Sequence, residues 1–398
     1  MTGMQSNTLD AADPLAAFRA RFIEAPDVVA YLDGNSLGRP LQVSIDALTE
    51  GATTAWAQRL IRSWDDGWIE LPVTLGDRIA EAALGAAPGQ TVVGDSTTVL
   101  LYKQVRAALA LRPDRDELIV AVDDFPTDRY VLEGIAAERG ATLRWIPSGD
   151  VSPDAVAALL GTRTAVVVLS HIAYRSGAIA DVPAITALAH DVGALVIWDL
   201  SHSVGAFPIQ LDEWDVDLAV GCSYKYLCGG PGAPAFAYVA SRHLDEIRQP
   251  IQGWLGGAEP FAMGPGYRPG PGIRRMLSGT PPILSLLALG PAVDTVAEAG
   301  IERIREKSIA LTEHAIGLAD ELLPDAILAT PRDARRRGGH VTLDHPDFEA
   351  IMPKLWERGV IPDFRRPTGI RLGLSPLSTS FAEVESGIRA IAEELSEV

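Results

Sequence analysis

Between about residue 89 and residue 228, short runs of β-branched and apolar residues alternate with stretches whose apolar positions recur every three or four residues. The run "TVVGD" precedes helical spacing over Ser96 to Leu111, "ELIVAVDDF" precedes a helix near Tyr130 to Arg139, and "TAVVVLSH" precedes one over Pro183 to Val192. "ALVIWDLSH" and "DLAVGCSYKYL" follow. This rhythm predicts an α/β fold of parallel strands with helices on both faces. In open sheets of that kind ligands sit beyond the C-terminal strand ends, so the residues just after each run are the candidates for chemistry.

The flanks read differently. "VVAYLDGNSLGRP" is a short strand entering a glycine-punctuated turn, and helical spacing follows from Ile45 to Leu60. A proline- and glycine-rich passage from Phe261 to Pro282 keeps aromatic and apolar residues interspersed, which suits an ordered loop over a site better than a linker. From Gly300 a long charged helix opens a last segment that ends in the helix "FAEVESGIRAIAEELSEV". The expected organisation is an N-terminal segment 1–50 packing with a small domain, a large domain 51–290, and a smaller α+β domain 291–398.

Length and charge narrow the classes. A chain of 398 residues exceeds one ordinary domain, and 47% apolar with 22% charged residues is a globular composition. A net charge of -18 lacks the basic footprint that nucleic acid requires. The two cysteines, Cys222 and Cys228, form no spaced framework, which points to a reducing cytoplasm and to packing roles. The N-terminus has no secretory pattern and no apolar run reaches membrane-spanning length, so the chain reads as a complete intracellular protein without a membrane partner.

The strand tips carry Asp95 to Thr98, Phe125 to Asp128, Ser170-His171, Asp199 to His202, and Ser223 to Lys225. Hydroxyls opening a helix make an anion site, although a lone Ser96 or Thr97 is more often only an N-cap. Asp199 ends a very apolar strand, where a carboxylate is costly without a partner, or else caps the next turn. A desolvated lysine attacks carbonyls, although a lone lysine near a strand end is more often simply exposed. Together with Phe125 as a stacking ring, these groups describe a holder for pyridoxal phosphate: a lysine, an anion for the pyridinium nitrogen and a phosphate cup. Neither G-x-G-x-x-G nor a P-loop follows the first strand, and His171 and His202 lack the helical spacing of a metal site.

The segments "YLDGNSLG", "GDSTTV", "FPTD", "YRSG", "WDLSHSVGAFP", "VGCSYKYLCGGPG", "YRPG", "SGTPPI" and "GIRLGLSPL" resemble those of the kynureninases, in the same order from Tyr31 to Leu377. That family belongs to the class V pyridoxal-phosphate enzymes of the aspartate aminotransferase fold, type I. The resemblance implies a large domain built on a mainly parallel seven-stranded sheet, a smaller C-terminal α+β domain and a homodimer with shared active sites. It implies Lys225 as the lysine that holds the cofactor and Asp199 as partner of the pyridinium nitrogen. Thr97, Thr98, Phe125, Pro126, Thr127, Asp128, His202, Tyr224, Trp254 and Thr280 would be further cofactor contacts, the last two from across a dimer interface. Arg371 would grip the substrate α-carboxylate, and Asn35, Ser36 and Trp64 would meet the aromatic substrate. Tyr224 is the candidate proton donor, while Tyr174 and Arg175 would shape the site.

The activity implied is hydrolysis of L-kynurenine or 3-hydroxy-L-kynurenine to an anthranilate and L-alanine, in tryptophan catabolism. Five positions depart from the family pattern: Ala173, Cys228, Leu255, Gly257 and Ser378, several expected toward the substrate side. They leave room for a relative acting on a modified kynurenine or another β-acyl amino acid. A catalytically silent cofactor-binding protein is the rival from another class, and a cysteine desulfurase would need an acceptor cysteine on a mobile loop.

Overall fold

The computed structural model describes residues 2–149 and 151–397, and of residues 2–5 the backbone alone; the outermost residues of the expected segments, 1 and 398, lie outside it. Among the described residues, two sheets organise the chain. The larger has seven strands: β2 (Thr91–Val93), β3 (Glu117–Ala121), β4 (Thr142–Ile146), β5 (Thr164–Ser170), β6 (Leu195–Asp199), β7 (Leu218–Gly221) and β8 (Phe236–Val239). Their spatial order is β2-β8-β7-β6-β5-β3-β4, and β8 alone runs antiparallel to its neighbours.

The central strands are apolar throughout because both faces are covered. Val167, Leu169, Val196 and Trp198 enter one core, while Val166, Val168, Leu195 and Ile197 enter the other. This period-two split is the pleat expressed as packing. Each fully buried side chain of that size contributes about 1.5–3 kcal/mol by leaving water, so the sheet is a rigid platform for whatever its strand tips carry.

The smaller sheet has the order β1-β11-β12-β10-β9, built from β1 (Ala30–Leu32), β9 (Ile327–Leu328), β10 (His340–Asp344), β11 (Val360–Arg365) and β12 (Gly369–Gly373). The N-terminal strand β1 pairs in parallel with β11. Asp10 secures this docking, since its two carboxylate oxygens accept from the N–H groups of Phe381 and Ala382, each at 3.0 Å. A carboxylate at a helix N-terminus satisfies orphan donors and opposes the helix dipole.

The expected segment boundaries shift. Leu15, Phe18 and Phe22 enter the core of the larger sheet, and the helix Gln42–Glu50 packs on the helix Ile283–Ala299. The N-terminal 50 residues therefore serve both sheets. Buried Leu286, Leu289, Val293 and Val296 keep the helix Ile283–Ala299 with the larger sheet, and Ile304 joins the same core, so the chain crosses to the smaller sheet's core between Ile304 and Leu311 rather than at residue 291.

At the opposite edge from the strand tips, Asp217 accepts from His190 Nε2 (2.9 Å), Val196 N (2.9 Å), Arg242 Nη2 (2.8 Å) and His243 Nε2 (2.7 Å). The hydrogen bond to Asp217 raises the His190 pKa above its usual value against the opposing effect of burial. A raised pKa means stability present below the unfolded histidine value, about 6.5, and lost as pH climbs through the folded one. Thermal melts should therefore show His190→Gln destabilising the protein most near pH 6 and progressively less in mild alkali. A melting difference independent of pH would show that the ring acts by packing alone.

Candidate active site

A cavity of about 330 Å³ opens where β2, β3, β5, β6 and β7 end. Its wall is assembled from Asp95 to Thr98, Phe125, Thr127, Asp128, Ser170, Asp199, Ser201, His202, Tyr224 and Lys225, one short segment per strand tip.

After β2, Asp95 adopts a left-handed backbone conformation (φ 53°) and is tethered by the fully buried Lys103, whose Nζ lies 2.6 Å from Asp95 Oδ2. Ser96 then caps the helix Thr97–Leu111 by accepting from Val99 N. The first-turn N–H groups of a helix have no intrahelical partner, so Thr97 and Thr98 present hydroxyls and unpaired donors to the cavity, an arrangement that suits a phosphate. After β3, Pro126 starts a second helix directly behind Phe125, and the Phe125 ring meets Tyr174 edge-on at 5.4 Å.

Lys225 is 9% exposed. Its Nζ is 3.0 Å from His202 Nε2 and 5.9 Å from the centre of the Phe125 ring. Burial, reinforced by the positive charges of Lys225 and Arg371, pushes His202 well below the usual histidine range, so the imidazole is neutral and accepts from the lysine. The lysine segment is held by its backbone: Gly38 N donates to Tyr224 O (2.8 Å) and Cys228 N to Lys225 O (2.9 Å). A Cβ on Gly38 would stand 2.3 Å from Lys225 O, so only glycine permits this approach. Burial raises the Tyr224 pKa above its usual value, with the Cys222 thiol beside the hydroxyl, and the phenol keeps its proton.

Three acids meet beside the lysine. Asp199 accepts from Ser201 N at 2.6 Å. Asp124 holds Ser170 through its hydroxyl and its N–H, and burial pushes its pKa up to about 6. Asp128 is fully buried, no donor faces either of its oxygens, and burial with the nearby charges of Asp199 and Asp124 raises its pKa well above the carboxylate range. Ionisation of this acid is thus opposed, as expected when buried carboxyls crowd together.

Arg371 and Asn35 lie behind the cavity wall, 1% and 0% exposed. With the Asn35 amide assigned from its neighbours, its oxygen accepts from Arg371 Nε at 3.1 Å and its nitrogen donates to Asp33 at 3.3 Å. Asn35 occupies the space a side chain on Gly373 would fill, since a Cβ there would come within 1.9 Å of the Asn35 side chain. Asn35 is thus turned to the arginine rather than into the cavity. Ser36 accepts from Arg371 Nη2 at 2.8 Å.

Trp64, Trp254 and Thr280 do not line the Lys225 cavity of their own chain. Trp64 packs edge-on against Trp68 (5.8 Å) and Trp254 (5.9 Å), and Trp254 against Phe261 (5.8 Å). The loop from Phe261 to Pro282 reaches the cavity only through Pro282; its earlier part surrounds a separate cavity of about 440 Å³.

None of the five departures from the family pattern lines the Lys225 cavity of the same chain. Leu255 is core, Gly257 lines the 440 Å³ cavity, Ala173 a small one beside Asp124, and Ser378 an open groove with Arg19 and Arg39. Cys228 stands in the left-handed region (φ 53°), where asparagine is better tolerated than most side chains. Its buried thiol packs beside Gly38. Sequence reading missed Lys103, Asp124 and Asp363. For Asp363 a signal existed: "PDFR" places Asp363 and Arg365 two apart on one strand face, next to the "GIR" strand.

The family model for the kynureninase C-terminal domain matches residues 304–391, and that for the DegT/DnrJ/EryC1/StrS aminotransferases matches 146–208. Among solved structures, the apo cysteine desulfurase of Thermococcus onnurineus NA1 superposes with a TM-score of 0.83 at 18% identity, covering 96% of this chain and 98% of that one. A C-DES mutant with glycine covalently linked to its PLP cofactor gives 0.81 at 20% identity, covering 92% and 96%. At those identities the likeness establishes the fold alone, that of the type I pyridoxal-phosphate enzymes. The kynureninase of Pseudomonas fluorescens is 41% identical over 97% of this chain and 94% of its own length. That of Deinococcus radiodurans is 41% identical over 99% and 96%. With that identity sustained across nearly the whole length, the chain belongs to the kynureninase family.

Proposed function

We propose that the protein binds pyridoxal phosphate on Lys225 and hydrolyses L-kynurenine, or its 3-hydroxy relative, to an anthranilate and L-alanine. The observation that carries this reading is the convergence on one cavity of a buried lysine, a buried acid pair and the opening turn of a helix bearing Thr97 and Thr98. These groups fit the cofactor's amine-reactive carbon, ring nitrogen and phosphate, and Phe125, its ring centre 5.9 Å from Lys225 Nζ, would flank the cofactor ring. Bound there, pyridoxal phosphate supplies the electron sink for charge developing at the substrate α-carbon.

The chain's own residues divide the remaining work. Asp199 would partner the ring nitrogen, and burial of Asp128 beside it opposes a second negative charge there. The Lys225 amine takes the α-proton, with the neutral His202 holding Nζ from 3.0 Å. Water adds to the γ-carbonyl, the β,γ carbon–carbon bond breaks, and the aromatic acid leaves with both water-derived and carbonyl oxygens. The β-carbon then needs a proton, which Tyr224, protonated and adjacent to Lys225, would supply; Lys225 would return the proton it took to the α-carbon, completing alanine, and a proton from the added water would restore the phenol. Arg371 would take the substrate α-carboxylate, and Phe125 to Asp128 and His202 would frame the cofactor.

We place Trp64, Trp254 and Thr280 in the site of a partner subunit. Support comes from their absence from the lining of the chain's own cavity and from exposed apolar residues near Trp64 and Trp254, where Trp56, Ile61, Phe261 and Met263 are 57–77% exposed. Such a patch marks an association surface, so the working form is a homodimer.

Steady-state turnover of L-kynurenine and 3-hydroxy-L-kynurenine, measured side by side, tests the activity. Alanine release from at least one is expected, and with Tyr224→Phe the rate should fall on the order of 10²–10⁴-fold, the usual contribution of a positioned acid. No alanine from either substrate would refute the reading. The geometry offers nothing in favour of a modified kynurenine or of a silent binding protein.

A further inference from the structure

Arg371 sits on β12 directly opposite Asp363 on β11. Its guanidinium is enclosed on three sides. Nε faces the Asn35 oxygen at 3.1 Å, Nη1 donates to the Tyr174 carbonyl at 2.6 Å, and Nη2 serves both Ser36 Oγ and Asp363 Oδ2, each at 2.8 Å. An arginine has five N–H groups, and these partners use four. One Nη1 hydrogen is left for an incoming anion, and its direction is dictated by the partners of the other four.

Of those partners, Asp363 alone is charged; the next carboxylate, Asp33, is 3.9 Å away. Asp363 is itself braced, because Arg365 Nε lies 2.6 Å from the same Oδ2. The Arg365 guanidinium in turn stands 5.9 Å from the centre of the Tyr174 ring, and Tyr174 abuts Phe125 in the cavity wall. A closed frame therefore runs from the cavity wall through Tyr174, Arg365 and Asp363 to Arg371.

We infer that Asp363 is a positioning residue for substrate recognition: by clamping Nη2 it sets the roll of the Arg371 guanidinium so that its free edge meets the substrate α-carboxylate. The inference rests on the reading that Arg371 is the carboxylate-binding group. A neutral acceptor could not do the same work. A cation 1% exposed needs a matching charge to stay buried, and the charge-assisted bond to a strand-borne carboxylate fixes direction more firmly than a rotatable hydroxyl. Asn35, packed into the space at Gly373, fixes the opposite side of the fork.

Asp363→Asn keeps the shape and removes the charge. In the holoenzyme its loss should appear in KM, raised about tenfold or more as expected for a misaligned binding group, with kcat much less affected. The absorbance of the lysine-held cofactor should not change, and neither should inhibition by the substrate-like amine that lacks the α-carboxylate. Asp363→Glu, which keeps the charge but moves it by a methylene, should also raise KM and serves if the amide variant does not fold. Arg371→Lys separates the two claims. If Arg371→Lys leaves KM unchanged, the carboxylate role of Arg371 falls. If it raises KM while both Asp363 variants leave KM unchanged, or if they weaken the carboxylate-free amine equally, the positioning role of Asp363 is overturned.

Discussion

Lys225→Ala is expected to abolish kynurenine turnover and the visible absorbance of the purified protein while leaving its melting temperature close to that of the parent. The fold should survive, because the segment is fixed by backbone bonds from Cys228 N and Gly38 N that the substitution does not touch. What disappears is the amine 3.0 Å from His202, the one nucleophile among the buried groups of the cavity that can bind a carbonyl carbon covalently and then carry the α-proton. Removing a group with both roles costs far more than a single hydrogen bond, and losses on the order of 10³-fold or beyond are usual. Residual activity within tenfold of the parent would sink the assignment.

Asp199→Asn should lower kcat/KM on the order of 10²–10³-fold, the scale of a lost electrostatic stabiliser in a water-poor site, while the protein still takes up cofactor. The amide preserves the contour at the end of β6 and the oxygen that accepts from Ser201 N at 2.6 Å. It removes the charge that would hold a proton on the ring nitrogen. Titrating the apoenzyme with pyridoxal phosphate, then measuring turnover at saturation, separates lost binding from lost chemistry. Unchanged turnover at saturation would place the pyridinium partner elsewhere in the acid cluster.

Much of this was legible in the chain because the larger sheet is buried on both faces. β3, β5, β6 and β7 stand out as continuous apolar runs, and the rule that ligands gather beyond such strands led directly to Phe125, Asp199 and Lys225. β4 escaped notice because Thr142 is exposed and Leu143 to Trp145 are only partly buried at the sheet edge, and β8 because its four residues sit among alanines and prolines. Helical spacing from Ile45 to Leu60 overran the true helix, which ends at Glu50 and passes into a wider turn over Gly51–Trp56 before Leu60 turns left-handed. The second helix begins at Pro126 rather than near Tyr130, since proline is at home in a first turn.

Within the site, single residues with one strong chemical preference could be read, and arrangements could not. The raised pKa of Asp128 comes from its burial and from two other acids arriving after β3 and on β6, and the enclosure of Arg371 joins residues 33–36, 174 and 363–371. Cys228 looked like a question about substrate; its backbone makes it a question about a left-handed turn behind the lysine.

The most direct test of the central claim is hydrolysis of L-kynurenine in water enriched in heavy oxygen, with both products analysed by mass. Equal amounts of anthranilate and L-alanine are expected, with one heavy oxygen in the anthranilate carboxyl group, none in alanine, and neither product from Lys225→Ala. Absence of alanine, or anthranilate formed without the label, would contradict hydrolysis at this site.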